Sequence, residues 1–169
     1  IAVEEGLRRQ GQPVTAHAQG AAGILEAIRG GVASVEHGYE IDAEGIELML
    51  EKGTYLVPTL SSALRVPDPA KVPPYLYEKK VVWSNIAREH VAQAIESGVK
   101  VALGTDAGVC PHGTNLTELG HMVSLGMSPL EAITAGTLNA ATLLRVEDSL
   151  GSVEVGKLAD LVITDVDPL

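Results

Sequence analysis

Phenylalanine is absent from this 169-residue sequence, aromatic residues make up only 3% of it, and it has one cysteine. A single cysteine, Cys110, excludes an internal disulfide, so we expect a cytoplasmic protein and not a disulfide-stabilised one. No apolar run approaches the roughly 20 residues that a membrane-spanning helix requires. Basic residues are also scarce: 12 Lys and Arg stand against 22 Asp and Glu, a net charge of −10. This balance argues against a nucleic-acid partner.

With so few aromatic residues, the core must be aliphatic. The aliphatic residues occur in short apolar segments that alternate with longer helical patterns. The short apolar segments predict strands at 14–17, 33–37, 55–59 and 100–104. Periodicity and end signals predict helices at 2–10, 21–29, 42–52, 75–96, 115–125 and 129–144. Asp42 is placed to cap the third helix. Residues 60–74 are rich in proline and predict a long loop, and 152–165 has β character.

This alternation predicts an α/β fold, a parallel sheet with its helices outside. Four strand–helix units amount to half of a (β/α)₈ barrel, which typically has about 250 residues. An open doubly wound sheet is the alternative, but no Gly-rich phosphate loop follows the first strand. The sequence begins inside a predicted helix and ends in a predicted strand, so we expect it to be part of a longer chain.

Ionisable residues close three of the four predicted strands: His17, His37 and Asp106. Parallel strands of a barrel direct their carboxyl ends to one rim, so we expect these side chains to converge. Two imidazoles and a carboxylate suit Zn²⁺ or a similar ion. Taken singly, either histidine fits a hydrogen-bonded core residue, and Asp106 fits an ordinary turn. Their common position in otherwise apolar strands favours a metal site.

Catalytic and substrate-binding roles are also open to residues near these strand ends. Asp106 is placed to take a proton from an attacking water and pass it to the leaving group. Tyr39 lies two residues after His37 and either holds a substrate carboxylate or oxyanion or packs in the core. His112 follows the last predicted strand and either meets the substrate or stabilises its loop.

Three motifs resemble the fifth-, sixth- and eighth-strand motifs of the amidohydrolase superfamily: His17-Ala18-Gln19, Glu36-His37-Gly38 and Gly104-Thr105-Asp106-Ala107-Gly108. The nearest branch contains imidazolonepropionase-like enzymes and metal-dependent prolidases (Xaa-Pro dipeptidases). Segments 111–119 and 132–141 resemble the last helices of that branch, and 151–162 resembles its return to a small β-sandwich. The resemblance implies the C-terminal half of a TIM-like barrel at 1–150 and a return segment at 151–169.

The same resemblance implies a two-metal site, with zinc as the expected ion. His17 and His37 would bind the second metal, and Asp106 would bind the first and carry the proton. The His-x-His pair and the bridging carboxylated lysine of the family have no counterpart in this sequence, so three of six expected ligands are absent.

The implied activity is hydrolysis of an amide bond in a dipeptide or acyl amino acid by metal-activated hydroxide. The alternatives are hydrolysis of a cyclic amide, as in imidazolonepropionase, and an inactive structural fragment that lacks half of the site. We expect a small-molecule or dipeptide substrate. A half-barrel also leaves strand edges and an apolar inner face open, so we expect oligomerisation or pairing with an N-terminal half.

Overall fold

A computed structural model describes residues 1–166, apart from the side chains of Arg9 and Gln10. Three strands form a parallel sheet in the order β1 (Thr15–Ala18), β2 (Ser34–His37) and β3 (Tyr55–Val57). The fourth predicted strand joins β3 through one bridge between Leu56 and Val101. The α/β class and the parallel sheet are therefore confirmed.

The fourth segment forms two hydrogen bonds with β3: the Leu56 amide donates to the Lys100 carbonyl, and the Ala102 amide donates to the Leu56 carbonyl. Its other edge bonds to helices. The Leu103 amide donates to the carbonyl of Ala135 at 3.0 Å. The Val101 carbonyl accepts from the side-chain amide of Asn139 at 2.9 Å. The ladder with β3 ends because the next donor of β3 would be Pro58, which has no amide hydrogen; the segment is therefore shorter than predicted.

Eight helices lie within the described residues, and most begin and end near the predicted positions. They are α1 (Ala2–Gln10), α2 (Ala21–Arg29), α3 (Ala43–Lys52), α4 (Leu60–Ala63), α5 (Pro74–Glu96), α6 (Thr117–Ser124), α7 (Pro129–Gly136) and α8 (Leu138–Leu144). The predicted cap is confirmed: the Asp42 carboxylate accepts from the Gly45 amide at 2.8 Å. Among these helices, none is both long enough and apolar enough to cross a membrane.

Three sequence predictions were wrong in detail. The helix predicted over 129–144 breaks at Thr137 (φ −124°, ψ −92°), which separates α7 from α8. The loop predicted after β3 begins with α4. Residues 152–165 form no strand; Val155, Val162 and Ile163 are almost fully exposed there, and no neighbouring strand in residues 1–166 pairs with their backbone.

The two faces of the sheet differ in character. One face packs against the helices through Val35 and Leu56, which meet a fully buried aliphatic core that includes Ile24, Ile28 and Met49. On the opposite face, the strand register places polar residues of β1 and β2 side by side: Thr15 lies beside Ser34, and His17 lies beside Glu36. The Thr15 hydroxyl donates to the Glu36 carboxylate at 2.6 Å on that face. These polar residues of β1 and β2 therefore lie on the face turned away from the helical core.

Candidate active site

Two of the predicted metal ligands are in contact at the carboxyl ends of β1 and β2. The rings of His17 and His37 lie edge to face, with centroids 4.5 Å apart and planes at 72°. Their strands are adjacent, and the register pairs His17 with Glu36 and Ala18 with His37. The two histidines are thus offset by one residue. At the strand end His37 has a left-handed backbone conformation (φ 74°), and its ring contacts that of His17 despite this offset.

The same backbone conformation recurs at the ends of the next two strand segments. Thr59 has φ 46° and Asp106 has φ 53°, so three non-glycine residues at this edge of the sheet adopt a conformation that costs free energy. For a β-branched residue such as Thr59, this conformation is a genuine outlier. Left-handed residues of this kind cluster at functional sites, where the surrounding structure holds them.

Thr59 connects His37 to Tyr39. Its hydroxyl lies 2.8 Å from His37 Nδ1 and 2.8 Å from the Tyr39 hydroxyl, and Tyr39 itself is 3.3 Å from Nδ1. His37, Tyr39 and Thr59 are 8%, 6% and 3% exposed. The sequence analysis did not select Thr59, although its position at the end of a strand is the signal that selected His37.

Burial sets the protonation states of this group. Desolvation, followed by the repulsion of His17, lowers the pKa of His37, and the charges of Asp106 and Glu36 only partly oppose this. Burial likewise raises the pKa of Tyr39, against the hydrogen bond to Thr59. At neutral pH His37 is therefore a neutral imidazole, the form that binds metal ions, and Tyr39 keeps its proton.

Asp106 is exposed and stands in a tight turn, its carbonyl accepting from the Val109 amide at 3.0 Å. Its charge acts on both His37 and Tyr39. Gly104 permits this approach of the fourth segment to β3, because a Cβ there would collide with the Val57 side chain.

The predicted substrate contacts differ in accessibility. The Tyr39 hydroxyl is buried and bonded to Thr59, whereas His112 is exposed in the loop before α6. A further acidic residue, Glu118, is fully buried behind this site and accepts from the amides of Leu60 and Ser61.

The described part of the chain contains no complete metal site. In residues 1–166, no group of three or more His, Cys, Asp or Glu side chains is arranged to hold a metal ion. The contacting imidazoles of His17 and His37 nevertheless suit a metal as two of its donors. These residues fit a metal as a partial ligand set.

Comparison with known proteins points to one family. The profile of the amidohydrolase family matches residues 2–169. Ochratoxinase of Aspergillus niger is 37% identical over 174 residues, which cover 100% of this chain and 35% of that protein. Imidazolonepropionase of Thermoanaerobacter pseudethanolicus is 33% identical over 96% of this chain and 36% of its own length.

Solved structures agree with the sequence relatives. A Xaa-Pro dipeptidase with methionine bound in its active site superimposes with a TM-score of 0.84 and 44% identity, covering 94% of this chain and 40% of that one. The A. niger ochratoxinase structure gives a TM-score of 0.87 and 35% identity, covering 98% and 38%. The chain thus spans a little more than a third of the length of these relatives.

Proposed function

The chain belongs to the amidohydrolase family, and on that premise we propose that it forms part of a metal-dependent hydrolase that cleaves amide bonds. The observation that carries this proposal is the contact between the rings of His17 and His37 at the carboxyl edge of a parallel sheet. Active sites of barrel enzymes are built at that edge.

We further propose that residues 1–150 are the C-terminal half of a (β/α)₈ barrel and that 151–169 leads into a small β domain. The parallel order β1-β2-β3, continued by the bridge at Val101, supports four consecutive barrel strands. The coverage of 40% of the dipeptidase structure and 38% of the ochratoxinase structure supports a partial barrel.

The proposed ligands in this chain are His17 and His37 for one metal and Asp106 for a second. A divalent metal, zinc in our proposal, would act as a Lewis acid and lower the pKa of the attacking water. Supporting this role, His37 engages Thr59 through Nδ1, which leaves Nε2 as the nitrogen for a metal. The remaining ligands would come from outside these 169 residues.

Asp106 is the proposed proton carrier. Its carboxylate would take the proton of the water as oxygen bonds to the amide carbon, and deliver it to the nitrogen as the carbon–nitrogen bond breaks. Because Asp106 is exposed, its carboxylate is accessible to a substrate. Its charge acts to raise the pKa of His37.

We propose a dipeptide or an acyl amino acid as the substrate, because a Xaa-Pro dipeptidase and ochratoxinase are among the similar proteins. A cyclic amide is the second candidate and is favoured by the likeness to imidazolonepropionase. Of the two proposed substrate contacts, His112 is the stronger, because the hydroxyl of Tyr39 already bonds to Thr59.

The test combines metal binding with turnover in a full-length protein that contains this chain. We expect His17→Ala and His37→Ala to lower bound zinc and to abolish hydrolysis of Xaa-Pro dipeptides or acyl amino acids. His121→Gln replaces a histidine of α6 outside the proposed ligand set, and as the matched control it should change neither. Equal zinc content in all three variants would contradict the ligand assignment. A protein without zinc or turnover would support the inactive alternative.

Oligomerisation, or pairing with an N-terminal half, is also proposed. Within residues 1–166, β1 pairs only with β2, so its other edge is open to a further strand. Light scattering on the purified 169-residue chain tests this: we expect a mass above that of one chain, and a stable folded monomer would contradict it.

A further inference from the structure

We propose that Thr59 is a positioning residue for His37: its hydroxyl holds the imidazole in the tautomer that carries its proton on Nδ1 and presents a bare Nε2. This inference rests on the proposed function, because it assigns a reason why His37 is suited to bind a metal. In this proposal Thr59 acts through His37 and not directly on the substrate.

The first observation is that Thr59 does not cap the helix that it precedes. Thr59 is the N-cap residue of α4, where a threonine hydroxyl normally accepts from a backbone amide of the first turn. Here the side chain makes no such bond. Its hydroxyl faces His37 and Tyr39 instead.

The second observation is that another residue performs the capping. The carboxylate of Glu118, 58 residues away on α6, accepts from the Leu60 amide at 2.9 Å and from the Ser61 amide at 2.5 Å. This carboxylate is fully buried, an expensive location for a charge unless it is hydrogen-bonded. A distant buried acid therefore replaces the local cap, which leaves the Thr59 hydroxyl available to His37.

The far end of α4 is held from α5. Lys80 Nζ donates to the carbonyls of Ser62 and Ala63 at 2.9 and 3.0 Å. The Ser84 hydroxyl donates to the Ala63 carbonyl at 2.7 Å. With both ends of this short helix fixed by side chains from other helices, Thr59 is kept in its left-handed conformation (φ 46°).

Two proton arrangements satisfy the hydrogen bonds of the group. In one, His37 Nδ1–H donates to the Thr59 hydroxyl, which donates to the Tyr39 oxygen, while Tyr39 donates to the Thr59 carbonyl at 3.4 Å. In the other, Tyr39 donates to Thr59 and Thr59 donates to a bare Nδ1, so the ring proton lies on Nε2. Only the first arrangement leaves Nε2 free to bind a metal.

Thr54 offers a matched control on the same strand. It precedes β3 as Thr59 follows it, and it is equally buried at 2% exposure. Its hydroxyl bonds only to a backbone carbonyl, that of Val32, at 3.4 Å. Thr54→Val and Thr59→Val therefore remove the same group from two ends of one strand.

The direct test measures the ¹⁵N shifts of the His37 ring in the metal-free protein at an alkaline pH, well above the ordinary pKa of histidine. We expect the Nδ1–H tautomer in the parent, in Thr59→Ser and in Thr54→Val, and a mixture of tautomers in Thr59→Val. An Nε2–H tautomer in the parent would overturn the proposal even if Thr59→Val failed to fold. A folded Thr59→Val with the parent tautomer would overturn it as well.

Zinc affinity of the full-length protein gives a second measurement. Loss of a residue that orients a ligating histidine typically lowers metal affinity about 10- to 100-fold, and we expect this for Thr59→Val alone. Unchanged affinity in Thr59→Val would contradict the positioning role. A parent with the expected tautomer but no zinc affinity would contradict the proposed function and leave the tautomer assignment standing.

Discussion

The two ends of the sheet differ in the burial and backbone conformation of their polar side chains. Where the strands begin, Thr54 and Asn139 bond to backbone carbonyls, and the hydroxyl of the exposed Thr15 donates to the Glu36 carboxylate. Where the strands end, His37, Tyr39 and Thr59 bond to one another, and two of the three have a positive φ. Bonds to the backbone or on an exposed surface are compatible with many sequences, whereas a buried group of mutually bonded side chains requires particular residues. We therefore expect the end where the strands begin to stabilise the fold, and we propose that the end where they finish performs the chemistry.

The largest expected effect is that of Asp106→Asn at the functional end. We expect kcat/KM of the full-length enzyme to fall about 10²- to 10⁴-fold, because an amide cannot accept the proton of the attacking water. Asparagine tolerates the left-handed backbone at φ 53°, and the site is exposed, so the free energy of unfolding should change little. Asp160→Asn, another exposed acid, is the control. Equal turnover in the two variants would eliminate Asp106 as the proton carrier.

Glu118→Ala should have the largest effect on stability. It leaves the amides of Leu60 and Ser61 without their acceptor, and we expect a loss of about 3 kcal/mol in urea unfolding. Glu131→Ala is the matched control, since its exposed carboxylate also accepts from a backbone amide, that of Ser128. If both variants lost the same small amount, Glu118 would not be holding α4.

Asn139→Ala tests the opposite end of the sheet. The Val101 carbonyl would lose its side-chain donor, at a cost of about 1 kcal/mol in unfolding free energy. We expect kcat/KM of the full-length enzyme to stay at the parent value, because the Asn139 side chain bonds to the Val101 backbone and not to a proposed site residue in the described part of the chain. A loss of turnover at unchanged stability would show that the two ends are not separate in function.

The smallest effect is expected at the start of α7, which has the local cap that α4 lacks. Hydrogen bonds from Ser128 hold the pKa of Glu131 below its usual value. A lowered pKa in the folded state stabilises above the unfolded-state pKa, and this contribution disappears as pH falls through the folded-state pKa. Glu131→Gln should therefore be slightly less stable than the parent at neutral pH. In acid the two unfolding curves should coincide; a constant difference at every pH would contradict this.

Local patterns predicted most of the fold. Alternating apolar segments gave β1 to β3 and most helices within one or two residues, and Asp42 caps as expected. The break at Thr137 accompanies the bond from the Leu103 amide to the Ala135 carbonyl, and the short fourth strand reflects the missing amide hydrogen of Pro58. Both were missed because these contacts are distant in sequence. The β character of 152–165 was misleading, because propensity without a partner strand does not make a strand.

The candidate site was predictable only in part for the same reason. His17 and His37 could be selected because a strand end is a local feature, and their rings do meet. Thr59 has the same strand-end position, but its bond to His37 depends on a partner more than 20 residues away, as does the role of Glu118. Sequence periodicity contains no information on which distant side chain will cap a helix. The convergence of Asp106 with the histidines stays a prediction.

The hydrogen bonds that the Glu118 carboxylate accepts from α4 also affect the order in which the chain folds. β1, β2 and α2 make contacts local in sequence and can assemble early, whereas α4 is fixed only after α6 has docked, 58 residues further along the chain. Contacts of such separation pay a larger loop-closure entropy and form late. During synthesis the sheet would therefore precede the arrangement of His37, and an incomplete chain would have a folded scaffold without its chemistry.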